Sequence, residues 1–250
     1  MTKTNNIRVL DRALDVIEAF SFKNPELSLA EIAEQTNLPS ATVYRVILTL
    51  INRGYLEKDS SSGKYKLGMG FVKVGGTVIQ TLDLVKIATP HLQKLAKLTE
   101  LNVNLSVLYK GDALCLVNIE SFHKFGYEIK VGERLPIYAG ALSKSILAFL
   151  SDEEIKSYLS SPLQVFTPRT IAKREQLIEE LDEIRKRGYS QSFGELTLDV
   201  TAYACPIFNY ENKVVGGVSI SGPDYFFNEE SNLLGELENT ASTISEELGY

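Results

Sequence analysis

The stretch that decides the fold is residues 28–67, SLAEIAEQTNLPSATVYRVILTLINRGYLEKDSSSGKYKL. It opens with Ser28 and Glu31, three positions apart, which is the capping-box pattern that begins a helix. The run Asn37-Leu38-Pro39 predicts a tight turn that ends this helix. A short helix followed at once by a turn is therefore expected.

The rest of the stretch predicts a longer helix and a hairpin. We expect Ser40 to cap a helix that runs to about Arg53, and Gly54 to close it. Two short alternating runs, Tyr55–Asp59 and Lys64–Leu67, flank a serine-rich turn with a glycine and predict a β-hairpin.

Upstream, Arg8–Phe22 predicts a further helix. Its expected inner positions fall at helical spacing and are Leu10, Ala13, Leu14 and Ile17. The order helix, helix, turn, helix, hairpin is typical of a winged helix-turn-helix, a DNA-binding unit.

The helix that begins at Ser40 is expected to turn polar groups outward, because its apolar residues Val43, Ile47 and Leu50 share one face. Candidate contacts to bases and nearby phosphates are Ser40, Ala41, Thr42, Tyr44 and Arg45. Candidate phosphate contacts in the hairpin are Lys58, Lys64 and Lys66. Two alternatives stay open: exposed side chains of this kind are often merely solvated, and a small helical unit can bind protein instead.

Charge is distributed unevenly along the chain. The net charge is −6, but residues 1–82 carry +2 and the remainder carries −8. A slightly basic head on an acidic body fits a head that meets phosphates.

Three regions follow from these patterns. Residues 1–68 are predicted to form the DNA-binding domain, 69–82 a linker helix, and 83–250 an effector-binding domain. The last region mixes the two periodicities and predicts an α+β fold in which helices flank an antiparallel sheet. Its predicted strands are Asn102–Leu108, Ala113–Ile119, Tyr127–Val131, Tyr189–Phe193, Val200–Phe208 and Val214–Ser221. Its predicted helices are Leu84–Leu98, Gly140–Leu150, Asp152–Leu159, Arg174–Arg187 and Asn228–Leu248.

A ligand pocket is predicted in this domain from strand alternation. Ser219 and Ser221 lie two apart, so both hydroxyls face one side of a strand. The neighbouring strand presents the small residues Val200 and Ala202, which leave room. Gly140-Ala141-Leu142 begins a helix, whose amides attract anions. Ordinary hydrogen bonding within the sheet is the alternative role for the paired serines.

The composition excludes several classes of function. Cys115 and Cys205 are far apart and are expected to be buried thiols in a reducing compartment. His91 and His123 are too few for a three-histidine metal centre, and neither C-x-x-C nor H-E-x-x-H spacing occurs. We therefore expect no metal and no cofactor. The absence of a long apolar run predicts a cytoplasmic protein.

A hydrolase is the competing class. Gly217–Ser221 is similar to the nucleophile motif G-x-S-x-G, but its last glycine is displaced to Gly222. That motif needs a sharp turn from strand to helix, whereas Ser219 is predicted inside a strand. We therefore expect no enzymatic activity.

Several motifs resemble the IclR family of transcription regulators. Those in the head are Arg12–Val16, Leu27–Ala33, Leu38–Arg45, Arg53–Leu56 and Tyr65–Gly68. Those in the body are Val131–Pro136, Phe166–Thr170, Arg187–Tyr189 and Val218–Pro223. The resemblance runs from about Arg8 to Leu248, nearly the whole chain.

The resemblance implies a homodimer, or a tetramer made of two dimers, on a near-palindromic double-stranded DNA operator. It also implies a GAF-like effector domain that binds a small, frequently carboxylate-bearing metabolite, and it adds Ser192 to the candidate pocket. Repression is favoured over activation. A protein-interaction module without a ligand remains the second alternative.

Overall fold

The computed structural model describes residues 7–123, 128–228 and 232–250. The chain forms two compact units, Met1–Thr81 and Leu82–Tyr250. None of the helices in these described ranges has the length and apolar character that crossing a bilayer requires.

The first unit consists of helices around a small antiparallel sheet with the strand order β1-β3-β2. Its elements are α1 (Arg8–Glu18), β1 (Glu26–Leu27), α2 (Leu29–Thr36), α3 (Ser40–Asn52), β2 (Leu56–Lys58), β3 (Tyr65–Leu67) and α4 (Gly70–Thr81). Its buried core is formed by Val16, Phe20, Leu27, Ile32, Val43, Ile47, Leu50, Leu56 and Tyr65. These elements make up a winged helix-turn-helix followed by a helix.

Local hydrogen bonds fix both ends of the helix-turn-helix. The predicted capping box is confirmed: the Glu31 amide donates to Ser28 Oγ at 3.3 Å, and the Ser28 amide donates to Glu31 Oε2 at 2.7 Å. Beyond α3, Gly54 has a φ of +75°, and the Tyr55 amide reaches back to the Leu50 carbonyl at 2.8 Å. A left-handed residue at this place is what glycine allows without steric cost.

The structure corrects the predicted first helix. It ends at Glu18 rather than at Phe22, because a turn over Ser21–Asn24 takes the backbone out of the helix. Leu10 and Leu14 were expected inside, yet 58% and 54% of their surface is exposed. The apolar residues of α1 lie on two faces, and only the one that contains Val16 packs on the core.

Two further corrections concern the same unit. Ser40 is the first residue of α3 rather than its cap; Pro39 holds the cap position, and no side chain caps this end. The strand β1 was not predicted, because two residues are too few to show an alternation. It pairs with β3 through Leu27 and Tyr65.

The second unit is an antiparallel sheet of six strands in the order β6-β5-β4-β9-β8-β7, with helices on both faces. Its strands are β4 (Asn102–Tyr109), β5 (Asp112–Ile119), β6 (Arg134–Pro136), β7 (Ser190–Phe193), β8 (Val200–Phe208) and β9 (Val214–Pro223). Its helices are α5 (Asp83–Thr99), α6 (Ala141–Leu147), α7 (Asp152–Tyr158), α8 (Arg174–Arg187) and α9 (Leu233–Glu247). One apolar core lies between the sheet and α6, α7 and α8, and the other lies between the sheet and α5 and α9.

The predicted strand Tyr127–Val131 is wrong in its described part. Tyr127 lies outside the described residues, and residues 128–131 contain no strand. The edge of the sheet is instead β6, which follows a turn at Gly132, where φ is +88°.

Three predicted helices of this unit are longer than the observed ones, and the smallest difference is at α7, which ends at Tyr158 rather than at Leu159. The closing helix begins at Leu233 rather than at Asn228, which is not helical; residues 229–231 of that prediction lie outside the described ranges. Helix α6 ends at Leu147 rather than at Leu150.

Candidate functional site

The outward face of α3 is open to solvent. Val43, Ile47 and Leu50 hold the opposite face in the core. Of the predicted contact residues on this helix, the exposed ones are Ser40, Ala41, Tyr44 and Arg45, and Thr42 is half-buried. The first turns of α3 therefore present hydroxyl and guanidinium groups on one accessible surface.

Each of the three predicted hairpin lysines already has a partner. Lys64 Nζ lies 3.5 Å from Glu31 Oε2, and Lys66 Nζ lies 3.5 Å from Glu57 Oε2. The third, Lys58, lies over the Tyr65 ring at 5.7 Å from its centroid. Exposed ion pairs of this kind are worth little, so phosphates can replace these carboxylates at small cost.

A cleft lies between α1 and α3 beside this face. The residues that line it are Val9, Arg12, Thr42, Arg45, Val46 and Thr49. Arg12 was missed in the sequence as a candidate DNA contact. Its position four residues before the buried Val16 was the available signal, because it places Arg12 on the flank of the inner face.

A cavity in the second unit lies between α6 and the strands β7, β8 and β9. Its empty volume is about 450 Å³ including its mouth, but the centre of a water molecule can reach only about 40 Å³ of it. All eight predicted ligand-binding residues line it: Gly140, Ala141, Leu142, Ser192, Val200, Ala202, Ser219 and Ser221. The apolar lining is completed by Ile129, Leu135, Ala139 and Leu196, and the polar lining by Ser143, Glu195 and Thr197.

Strand register explains the polar wall of this cavity. Ser192 pairs with Ala202, and Ala202 pairs in turn with Ser221, so the three residues form one row across the sheet. Paired residues of an antiparallel sheet project from the same face. The small Ala202 between the two serines therefore leaves space in front of both hydroxyls, and the next row places Ser219 beside Ala204.

The start of α6 is already occupied by a carboxylate of the protein. The Gly140 amide donates to Glu195 Oε2 at 3.1 Å. The other oxygen of that carboxylate lies 2.5 Å from Nζ of Lys144, which is 1% exposed. The anion at this helix start is therefore the Glu195 carboxylate. The prediction that the Gly140 amide is available to a ligand is wrong, because that amide already donates to Glu195.

Seven residues of the lining were missed in the sequence analysis, which are Ile129, Leu135, Ala139, Ser143, Glu195, Leu196 and Thr197. Leu196 lies against Gly140, where a Cβ atom would come within 2.8 Å of Leu196 Cδ1 and where φ is +80°. Glycine is therefore required at this position. Ser143 is fully buried, and its hydroxyl has no hydrogen-bond partner within the described structure.

The cysteines offer no reactive centre. Burial raises the pKa of both Cys115 and Cys205 to about 12, so both thiols stay protonated at neutral pH. The ranges that the structure describes hold no group of three or more side chains suited to a metal ion.

The exposed recognition helix, the wing and the separate cavity-bearing unit define a DNA-binding transcription regulator with an effector domain. Two family descriptions match the chain: the IclR helix-turn-helix domain over residues 9–60, and the bacterial transcriptional regulator IclR C-terminal domain over residues 76–246. The chain belongs to the IclR family.

Individual relatives match over most of their length. The HTH-type transcriptional regulator KipR of Bacillus subtilis is 33% identical, over 98% of this chain and 99% of the relative. The transcriptional repressor IclR of Escherichia coli is 30% identical, over 88% and 81%. An IclR homologue of Microbacterium hydrocarbonoxydans, solved with 4-hydroxybenzoate, is 26% identical with a TM-score of 0.85, covering 96% of this chain and 99% of that one.

Family membership settles the alternatives from the sequence. IclR-family proteins are transcription regulators and not enzymes, so the hydrolase is wrong. They bind DNA and carry an effector-binding domain, so the protein-interaction module without a ligand is wrong as well. The geometry also argues against a hydrolase, because Ser219 lies within β9 and pairs with Asn104 and Ala204 on either side, rather than at a turn from strand to helix.

Proposed function

We propose that this protein is a cytoplasmic repressor that binds a specific DNA duplex and is controlled by a small, carboxylate-bearing metabolite in the cavity. The single observation that carries this proposal is the arrangement of the predicted site residues: five on or beside one open helix face, and eight in the lining of one cavity. The repressor named among the relatives supports repression as the sign of regulation.

Base recognition is assigned to the first turns of α3. Arg45 is exposed and suited to the bidentate contact that arginine makes with guanine in the major groove. Thr42 and Tyr44 add hydroxyls on the same part of the helix. The hairpin lysines contact phosphates, which position the protein but do not read sequence.

The metabolite is held by hydrogen bonds rather than by a salt bridge. Among the described residues that line the cavity, none is a lysine, an arginine or a histidine. The donors that face a carboxylate are therefore hydroxyls, led by Ser192, Ser219 and Ser221, together with the amides of α6 that follow Gly140. The small free volume fits a compact ligand, and 4-hydroxybenzoate in the Microbacterium homologue is one of this size and charge.

Transmission of the signal is assigned to a homodimer. Leu10 and Leu14 of α1 and Val72 and Val78 of α4 are each more than half exposed. Such an unpartnered apolar surface on a small unit indicates a protein interface, and a second copy of the chain is the partner we propose. We propose that the ligand stabilises one arrangement of the two effector-binding units in the dimer. The linker helix α4 then converts this arrangement into a particular spacing of the two DNA-binding units.

The DNA half of the proposal is tested with Arg45→Ala. The probe is the DNA fragment upstream of the protein's own gene, with binding measured by fluorescence anisotropy. We expect affinity to fall by about tenfold to a hundredfold, the range for removal of one bidentate pairing with a base, with the melting temperature unchanged. The matched control is Lys23→Ala, an exposed cation outside α3. An equal loss in stability and binding would make Arg45 structural.

The ligand half is tested with Ser221→Val, which removes one hydroxyl of the serine row. A panel of small carboxylates that includes 4-hydroxybenzoate is titrated by calorimetry against the wild type and the variant, beside the matching amides. We expect one or more carboxylates to bind the wild type and to weaken DNA binding, and the variant to lose this response but keep its DNA affinity. Equal binding of the amides would contradict recognition of a carboxylate.

A further inference from the structure

The cleft between α1 and α3 brings together two arginines from different helices. Arg12 projects from the flank of α1, beside Val9 and the buried Val16, and Arg45 projects from the edge of α3 that faces α1. Thr42 and Thr49 add hydroxyls to the lining, and the cleft encloses about 640 Å³ including its open side. The two guanidinium groups therefore line one open recess next to the recognition face.

Neither arginine is engaged elsewhere. In the described ranges, no carboxylate lies within 4.0 Å of either guanidinium group, and neither guanidinium group makes a hydrogen bond or a ring contact. This distinguishes them from Lys58, Lys64 and Lys66, which all have partners. Like charges that share a recess without a counterion leave a site that favours an anion.

The hydroxyls of the recess are not equivalent. Thr49 Oγ1 donates to the Arg45 carbonyl at 3.0 Å, so its proton is used within α3. Within the described structure, the Thr42 hydroxyl makes no such internal bond and is available in the recess. An oxyanion in the cleft would thus meet the Arg12 guanidinium group and the Thr42 hydroxyl, with the charge of Arg45 nearby.

We infer that this recess binds a phosphodiester of the DNA backbone and that Arg12 is its principal ligand. Arginine matches phosphate geometry with two parallel N–H donors. A phosphate held by α1 at the edge of the groove would fix the depth and angle at which α3 enters, while Arg45 remains free to turn toward a base. The inference rests on the proposed DNA binding and adds a positioning contact from outside the helix-turn-helix.

The test is the salt dependence of binding by Arg12→Ala, Arg12→Lys and wild type. Two labelled duplexes are used, the fragment upstream of the protein's own gene and a mixed-sequence duplex, between about 50 and 200 mM salt. We expect Arg12→Ala to reduce the slope of log affinity against log salt by about 0.9 for each phosphate that the protein no longer neutralises, and to weaken both duplexes by the same factor. Arg12→Lys should keep the slope, because the charge remains.

Controls separate the possible failures. Lys23→Ala, which removes a cation of the same unit outside the recess, should keep the wild-type slope. If it lowers the slope as much as Arg12→Ala does, the change comes from the net charge of the unit rather than from the recess, and the inference is wrong. Arg12→Gln replaces Arg12→Ala if the latter does not fold. An unchanged slope in these variants, with the wild type still binding, overturns the phosphate site alone. No salt-dependent binding by the wild type would overturn the proposed function as well.

Discussion

At the scale of single residues, Lys144 departs most from ordinary burial rules. It is 1% exposed and is among the largest fully buried side chains of the described structure. Its ammonium group contacts Glu195 at 2.5 Å and Glu180 at 3.5 Å, and Glu195 also accepts from the Gly140 amide. One buried ion pair therefore ties the start of α6 to the segment that carries Leu196 over the cavity.

Removal of the ammonium group tests this role. We expect Lys144→Met to destabilise the second unit by about 3 to 5 kcal/mol, because it leaves Glu195 buried without its cation. Urea unfolding followed by circular dichroism measures the loss. The double variant with Glu195→Gln should recover much of it, since the uncompensated charge is then gone. Lys186→Met, at an exposed ion pair with Glu183, is the control, and an equal effect there would refute the role.

At the scale of elements, capping hydrogen bonds define how two helices begin. Ser28 with Glu31 caps α2, and Ser151 with Glu154 caps α7, each with both reciprocal bonds present. In α2, the Ser28 amide and hydroxyl lower the pKa of Glu31, since both hydrogen bonds favour its charged form. The position of α2 sets the turn that leads into α3, so this cap supports the recognition helix.

Ser28→Ala should lower the free energy of unfolding by about 1 kcal/mol at neutral pH, the usual value of an N-cap. Thermal unfolding measures this loss.

The second prediction concerns pH. Because the folded pKa of Glu31 is lowered, the stabilisation by its carboxylate is full above the ordinary pKa of 4.5 and is lost as the pH falls through the folded pKa. The stability difference between wild type and Glu31→Gln should therefore shrink in acid. Thermal unfolding across pH measures this, with the exposed Glu34→Gln on the same helix as the control. A difference that grows in acid would contradict the cap.

At the scale of the whole molecule, the first unit exposes apolar residues that we assign to the proposed homodimer interface. Val72 and Ile79 of α4 lie seven residues apart on one helix face and are 63% and 36% exposed. The chain mass is 27.8 kDa, and a homodimer would bring two heads to the two half-sites of a palindromic operator. Dimerisation and operator binding are therefore linked in this proposal.

Val72→Glu should convert the proposed dimer to a monomer, because a charge in an apolar interface is left without a partner. Sedimentation velocity measures the mass, and DNA affinity should fall with it. Gln80→Glu, an exposed polar position on the same helix, carries the same charge change without that penalty and should stay dimeric. A wild type that sediments at 27.8 kDa would rule out the dimer.

Local chemistry in the sequence determined much of the first unit and the sheet. The capping box of α2, the glycine after α3, the hairpin and the bounds of α8 and β8 all follow from interactions between residues a few positions apart. The shared face of Ser219 and Ser221 also followed from alternation, because the two-residue period of a strand fixes which side chains share a face, whereas Ser192 came from the family resemblance. These features need only the residues that form them.

Tertiary structure alone decided the rest. The Lys144–Glu195 pair joins residues 51 positions apart, and the Gly140–Glu195 bond spans 55, so no local pattern indicates that the helix start is already occupied. The exposure of Leu10 and the meeting of Arg12 with Arg45 likewise depend on which face of α1 packs on the core. Periodicity shows that a helix has apolar residues, but the packing of distant elements selects the face that is buried, because burial is a property of the assembled unit.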